Sequence, residues 1–586
     1  MTRTEKNSHS ATQGPSRFER KFFDSDENFT FIGSGSLGGK AQGLVFIRDI
    51  LREQFNHADF PGISVSIPTM TVITTEFFDE FMKLNNLYEI ALSDLPDNRI
   101  SHAFQNTELP AKLVGDLWAL ISKVHSPLAI RSSSLLEDAL YEPFAGIYGT
   151  KMTPNNQFDT EGRFHKLVEA IKYVYASTFF RAAKNYFKAT RHRIEDEKMA
   201  VIIQEVVGQR FDDHYYPTIS GVARSYNFYP AGNARPEEGI VNLALGLGRT
   251  IVDEGISWSY SPAYPRANPP YNSIRDLLKE SQNSYWAVNM GKPPAFDPVK
   301  ETEYLLKLTL REAEKAGALK YIASTYDPQS DRLYPGAAGS APKLINFAPI
   351  LQMGQMPLNE IIQSLLKICS ESVSAPVEIE FAVTLDARRG VPARFGFLQV
   401  RPMVVSKEKV EISRDDLESE HVLVASENVL GNGIVEHISD VVYVKPESFK
   451  TEVSAVVVDE LERINNQLLS SEIPYLLLGF GRWGSSDPWL GIPVNWGQIS
   501  GAKVIVEATL PHVNVDLSQG SHFFHNITSF KVLYFSVRHS GKYEIDWQWL
   551  NRQRVVNELI YTKHVKLASP LQVKVDGRSG RGVILK

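Results

Sequence analysis

The sequence predicts an α+β protein, a long mixed region followed by a smaller β-rich domain. Three observations predict it. Amphipathic helical patterns recur through the first two-thirds of the chain, for example over 75–82 and 112–124. Between them lie short β-branched runs such as M-A-V-I-I-Q-E-V-V over 199–207, which suit buried strands. After Pro402 the texture changes: a charged stretch, S-K-E-K-V-E-I-S-R-D-D-L-E-S-E, reads as a linker, and short strands then dominate.

Taken in order, residues 1–17 are polar with no apolar core and are expected to be a disordered tail. Residues 33–43 form a Gly-rich turn, and 44–55 have helical spacing. The 65–74 segment alternates like a strand and carries one Pro. Thr75 then caps a helix containing Phe77, Phe78, Phe81 and Met82. A long helical pattern covers 164–192, and a strand over 240–245 runs into G-L-G at 246–248. Residues 257–297, rich in Pro, Tyr and Asn, read as a long ordered loop or insertion. Helices are expected over 299–316 and 358–373, and a strand pair over 377–384 and 394–400. The last part shows strand patterns at 421–425, 441–444, 475–478, 503–507 and 531–537, then a helix over 547–560. The expected units are therefore 18–225 and 226–403, a linker over 404–420, and a β-rich domain over 421–586.

The totals exclude several classes. At 586 residues, with 43% hydrophobic and 22% charged side chains, the chain reads as soluble, globular and several domains long. A net charge of -6 gives no support to a nucleic-acid or anionic-membrane partner held by bulk charge. The single cysteine, Cys369, excludes an internal disulfide framework and a cysteine-built zinc site, and fits a reducing compartment. The N-terminus does not read as a secretory signal, and no apolar run approaches the ~18 residues of a membrane span. A cytoplasmic location is the expectation.

Four constellations carry chemistry. Residues 128–150, L-A-I-R-S-S-S-L-L-E-D-A-L-Y-E-P-F-A-G-I-Y-G-T, deliver Arg131, then Ser132, Ser133 and Ser134, then the acidic pair Glu137 and Asp138. A strand ending in a guanidinium and hydroxyl donors is suited to phosphate oxygens, and equally to a solvated Ser-rich loop. G-S-G-S-L-G-G-K-A-Q-G over 33–43 offers Lys40 at a helix start. It lacks the surrounding unit of a dinucleotide fingerprint and the spacing of a Walker A loop, and reads otherwise as a plain turn with a surface lysine. Gln204 and Glu205 sit in an otherwise apolar strand and must find partners, an adenine edge or a neighbouring backbone. V-E-I-E-F-A and F-L-Q-V-R-P place Glu378 with Glu380, and Gln399 with Arg401, each pair on one strand face. Carboxylate plus amide oxygen suits Mg²⁺ and arginine suits phosphate; the alternative is a cross-strand Glu–Arg salt bridge.

The order of these motifs, G-G-K, then I-R-S-S-S-x-x-E-D…F-A-G, V-I-I-Q-E-V-V, G-L-G and E-I-E-F…L-Q-V-R-P, resembles the ATP-binding domain shared by phosphoenolpyruvate synthase and pyruvate, phosphate dikinase. The resemblance covers 18–403 and implies a two-subdomain fold of the ATP-grasp type that binds ATP with Mg²⁺. It assigns phosphate binding to Lys40 and Arg131, and a loop over the phosphates to the stretch from Ser132 and Ser133 to Asp138. The adenine pocket falls to Gln204, Glu205 and Val207, a magnesium ligand to Glu380 (with Gln399 as candidate second ligand), and the transferred phosphates to Gln399 and Arg401. One departure is a charge reversal: Arg249 follows G-L-G where the family has Glu.

The family enzymes continue with a phosphohistidine domain and a pyruvate-binding barrel. The chain after Met403 is shorter than the ~250 residues such a barrel takes, so no barrel is expected here. The segment S-Q-G-S-H-F-F-H-N-I-T over 518–528 shares only the Ser-His dipeptide with the family's phosphohistidine motif. It makes His522 a candidate carrier, or else His522 and His525 are ordinary hydrogen-bonded histidines. The run G-F-G-R-W-G-S-S-D-P-W-L-G-I-P-V-N-W-G over 479–497 reads as a built site, a docking surface or a tightly packed cap.

The expected function is ATP-dependent phosphotransfer of the dikinase type to a histidine or an unidentified acceptor. The alternative is a catalytically weak nucleotide-binding regulatory or interaction protein with a protein partner. The oligomeric state, a homo-oligomer included, stays open.

Overall fold

The computed structural model describes residues 14–20, 28–137, 146–188, 190, 192–228, 230, 233–252, 255–267, 273–279, 281–385, 393–403, 405, 410–485, 489–511, 527, 530–539, 541–577 and 579–586. Helices and strands are interleaved, and two six-stranded sheets dominate the first two-thirds. The first sheet runs Ser16–Arg17, Phe29–Ile32, Met70–Ile73, Met199–Glu205, Leu128–Ser134 and Thr150–Thr153. The second runs Trp258–Tyr260, Ile240–Ala244, Ile219–Arg224, Val377–Thr384, Ala393–Pro402 and Ile63–Ser66.

The stretch 65–74 is not one strand. It divides into Ile63–Ser66, parallel to Ala393–Pro402 in the second sheet, and Met70–Ile73, paired in the first. Pro68 stands at the division. It lacks a backbone donor and holds its predecessor out of helical geometry, so the ladder breaks there and the chain crosses between sheets. The helix Gly39–Glu53 buries Ala41, Leu44, Ile47 and Leu51, and lies against the second sheet: a Cβ at Gly43 would sit 3.5 Å from the Val400 carbonyl oxygen.

Other expectations are corrected. The helical pattern at 299–316 is a strand, Leu305–Thr309, followed by a short helix, Leu310–Lys315, with the Thr309–Glu312 capping box marking the change. The 164–192 pattern is two helices, Thr160–Ser177 and Arg181–Lys188. The segment read as a loop contains the strands Trp258–Tyr260 and Ser284–Asn289 and the helix Ile274–Lys279. The final helix is only Trp547–Asn551, after which Arg554–Glu558 is a strand paired with Thr562–Asp576.

The C-terminal part is built on a nine-stranded mixed sheet among the described residues. The neighbours Gly433–Val444, Tyr475–Phe480, Ala502–Ala508 and Leu533–Val537 run parallel. The 17-residue helix Ser454–Ser470 connects the first two and buries Val457, Val458, Leu461, Ile464 and Leu468. This helix is a feature the strand-dominated reading did not anticipate.

The two parts pack on each other. Glu462 of that helix accepts from Arg181 (2.7 and 3.2 Å), from Asn185 Nδ2 (2.8 Å) and from Gln498 Nε2 (3.1 Å). Trp496 stacks on Phe530 at 5.1 Å, and Phe530 meets Tyr186 edge-on at 5.7 Å. Gly497 allows the approach, since a Cβ there would lie 2.7 Å from Asn185 Cβ. Trp483 is buried inside the C-terminal part, its Nε1 donating to the Val506 carbonyl at 3.2 Å. Much of the Trp-rich run is thus core and internal docking; its Asp487 lies outside the described residues.

Candidate functional site

The first sheet presents Arg131 and Gln204 from neighbouring antiparallel strands. Ala129 is opposite Gln204, and Arg131 is opposite Ile202, so the two polar side chains are diagonal neighbours on one face. Arg131 Nη1 donates to Gln204 Oε1 at 3.2 Å. The same guanidinium crosses to the second sheet, where Nη1 meets the Leu398 carbonyl at 3.1 Å and Nη2 meets Gln399 Oε1 at 2.9 Å. Local geometry explains the carbonyl. Glu380 pairs with Gln399 and Phe381 with Phe397, so Leu398 is the extra residue of a β-bulge. A bulge frees a backbone group from the ladder, and here that group meets Arg131. Gln204 is buried, and its amide Nε2 has no hydrogen-bond partner.

A second group forms around Lys40, in the first turn of the Gly39–Glu53 helix. Lys40 is buried; its Nζ lies 3.0 Å from Glu137 Oε1 and 3.5 Å from Ser132 Oγ. Ser132 Oγ donates to the same carboxylate oxygen at 2.8 Å, and Ser134 N donates to Glu137 Oε2 at 2.9 Å. Ser133 ties the strand to the helix start: its Oγ accepts from Ala41 N at 3.0 Å and donates to the Leu37 carbonyl at 2.8 Å. The close approach requires glycine. A Cβ at Gly38 would stand 1.7 Å from the Ser133 carbonyl oxygen, and one at Gly39 would stand 1.8 Å from that of Glu137.

A third group lies in the second sheet. Arg224, Glu378 and Arg401 are in register across three adjacent strands. Arg224 Nε donates to Glu378 Oε2 at 2.6 Å, Arg401 Nε lies 3.2 Å from Glu378 Oε1, and Arg401 Nη2 donates to Glu380 Oε1. Arg401 and Glu378 are almost wholly buried, so two guanidinium groups and two carboxylates neutralise one another in a dry place. Arg224 was not singled out by the sequence.

Arg249, the charge reversal after G-L-G, approaches Glu301 (3.3 Å) and lies over the Trp286 ring. Glu301 in turn accepts from Thr150 N at 3.1 Å, which fastens this region to the edge of the first sheet. Glu205 accepts from Ser126 Oγ at 2.7 Å, and Val207 fills the space left by Gly396 of the second sheet. Near the serine turn, burial raises the Glu197 carboxyl from 4.5 to about 7, offset in part by the Tyr148 hydroxyl that donates to it at 3.0 Å. Burial also pushes the Cys369 thiol up to about 12, which makes it a core residue and no nucleophile.

Of the residues named from sequence, the structure joins Arg131, Gln204 and Gln399 directly. It joins Lys40 to Ser132, with Ser133 fastening the helix start, and Arg401 to Glu380. His522 and Asp138 lie outside the described residues. Among the described residues, no group of three or more His, Cys, Asp or Glu is arranged to hold a metal ion, and no helix is long and apolar enough to cross a membrane.

Two sheets joined by an arginine, with a lysine at a glycine-rich helix start, make a mixed α/β architecture with groups suited to an anion near their junction. The family is shown by comparison. Residues 34–421 match the family described as Pyruvate phosphate dikinase, AMP/ATP-binding domain, and the chain belongs to it. That match covers an ATP-grasp-like domain that binds adenine nucleotide. A comparison with curated proteins finds no match.

Proposed function

We propose that this chain binds Mg-ATP at the junction of the two six-stranded sheets and passes phosphate to a histidine or another acceptor. The observation that carries the reading is Arg131. It spans the junction to Gln399 and the Leu398 carbonyl, beside a buried Gln204 amide nitrogen that has no partner. A bidentate cation and an unused donor side by side suit a phosphate ester with a base edge.

In this reading Lys40 and Arg131 bind phosphate oxygens, with Ser132 and Ser133 ordering the turn. Gln204, Glu205 and Val207 border the base. Arg401 and Gln399 stand at the transferred phosphate. Glu380 and Gln399 are directly opposed across two strands, and a carboxylate with an amide oxygen fits Mg²⁺, which takes its other ligands from phosphates and water. When bound, the ion would neutralise charge on the phosphates. The protein's own part is to align donor and acceptor and to balance charge as a phosphoanhydride P–O bond of the donor breaks and a new bond to the acceptor forms. His522 is the acceptor candidate within the chain.

A second reading, a nucleotide-binding protein with little turnover, is favoured by one observation. Lys40 and Arg401 are both already paired with buried carboxylates. Calorimetric titration with Mg-ATP, followed by incubation with ATP labelled at the β or γ phosphate, tests both. Arg131→Ala is expected to weaken Mg-ATP binding by at least about tenfold, since it removes a charged bidentate contact. Unchanged affinity in both Arg131→Ala and Glu380→Ala would overturn the site. Acid-labile label on the protein, lost in His522→Ala, supports transfer; tight binding with no label and no AMP supports the second reading.

A further inference from the structure

Glu137 occupies the phosphate-type donors of the Lys40 group. One carboxylate oxygen accepts from the Lys40 ammonium and the Ser132 hydroxyl, and the other accepts from the Ser134 amide. The carboxylate is 3% exposed, and the turn that carries it is tied off by its own amide donating to Ser134 Oγ at 3.1 Å. Gly39 lets that turn lie directly on the first turn of the Gly39–Glu53 helix, which carries no acidic residue of its own in that turn. The helix start adds positive potential for any anion placed there. An ammonium, a hydroxyl and a backbone amide converging on one buried anion make up an anion hole, and Glu137 fills it.

We infer that Glu137 is an internal competitor for nucleotide phosphate. Its carboxylate holds Lys40, Ser132 and the Ser134 amide, and a phosphate group must displace it to reach them. The inference rests on the reading of Lys40 as a phosphate ligand. Its consequence is a tax on affinity: if the carboxylate-filled arrangement holds ninety per cent or more of the molecules, apparent affinity falls at least about tenfold. The tax falls on phosphate-bearing ligands alone, because a nucleoside has no group that needs those donors. Glu137 thereby sets a threshold concentration of nucleotide below which Lys40 stays bound within the protein.

Glu137→Gln removes the charge and keeps the shape. Titrations with Mg-ATP and with adenosine, on the full chain, are compared with wild type. The expected result is about tenfold tighter Mg-ATP binding with adenosine binding unchanged. Glu137→Asp, which withdraws the carboxylate by one methylene, is expected to shift affinity in the same direction and serves if the Gln variant does not fold. Equal or weaker Mg-ATP binding in the folded variants overturns the inference, as does equal tightening for adenosine. If wild type binds Mg-ATP in an Arg131-dependent way and the variants do not tighten, only the competitor role fails. If wild type binds neither ligand, the nucleotide-site reading fails with it.

Discussion

Single side chains in this molecule act through the company their backbones impose. Arg401 is held by Glu378 and Glu380, and Glu378 is held in turn by Arg224. Sequence alone exposed the period-two placement of the two glutamates and of Gln399 with Arg401, because that depends on strand geometry. It could not expose Arg224, whose pairing with Glu378 depends on which distant strands become neighbours. Glu197 offers a test at the same scale. Its folded carboxyl stays protonated up to about pH 7, whereas the unfolded one ionises near 4.5. The folded state therefore binds the extra proton between those values, and stability falls as pH rises from about 4.5 to about 7, then levels off. The span corresponds to a loss of about 3 kcal/mol. Urea unfolding across this window should show that slope in wild type and a flatter profile in Glu197→Gln. An identical slope in both would remove Glu197 as its source.

At the scale of elements, the site depends on one helix start and one bulge. The Gly39–Glu53 helix begins at Gly38, which has a φ of 76° and faces the Ser133 carbonyl at a separation that excludes any side chain. Gly38→Ala is expected to cost at least about 2 kcal/mol by denaturant unfolding, combining strain with overlap. Gly62→Ala is the control. Its φ is 84° with open space around it, so only the conformational cost of about 1 kcal/mol applies. Equal losses in the two variants would discount the contact with Ser133. The G-G-K motif marked a helix start, but helical spacing was legible only from 44, and the helix begins earlier, at Gly39. The bulge at Leu398 was not legible, because F-L-Q-V-R-P reads as an unbroken strand and the extra residue shows only against its partner. The 299–316 pattern misled for a related reason: apolar spacing there fits a helix, but Leu305–Thr309 is claimed by pairing with Ser284–Asn289.

At the scale of the whole molecule, the C-terminal part is fastened to the Arg181–Lys188 helix by Glu462 and by the Trp496–Phe530–Tyr186 contacts. Glu462→Ala removes the acceptor shared by Arg181, Asn185 and Gln498. Scanning calorimetry is expected to show one transition in wild type and two in the variant, with a loss of about 1–3 kcal/mol. A single unshifted transition in the variant would mean that the apolar contacts alone carry the docking. The strand Ile63–Ser66 has a different consequence, one of time. Its sheet partner begins at Ala393, so during synthesis an unpaired strand edge emerges early and waits for more than half of the chain before it can pair. At ribosomal speed that wait is on the order of tens of seconds, ample for a chaperone to bind or for a neighbouring nascent chain to pair in its place.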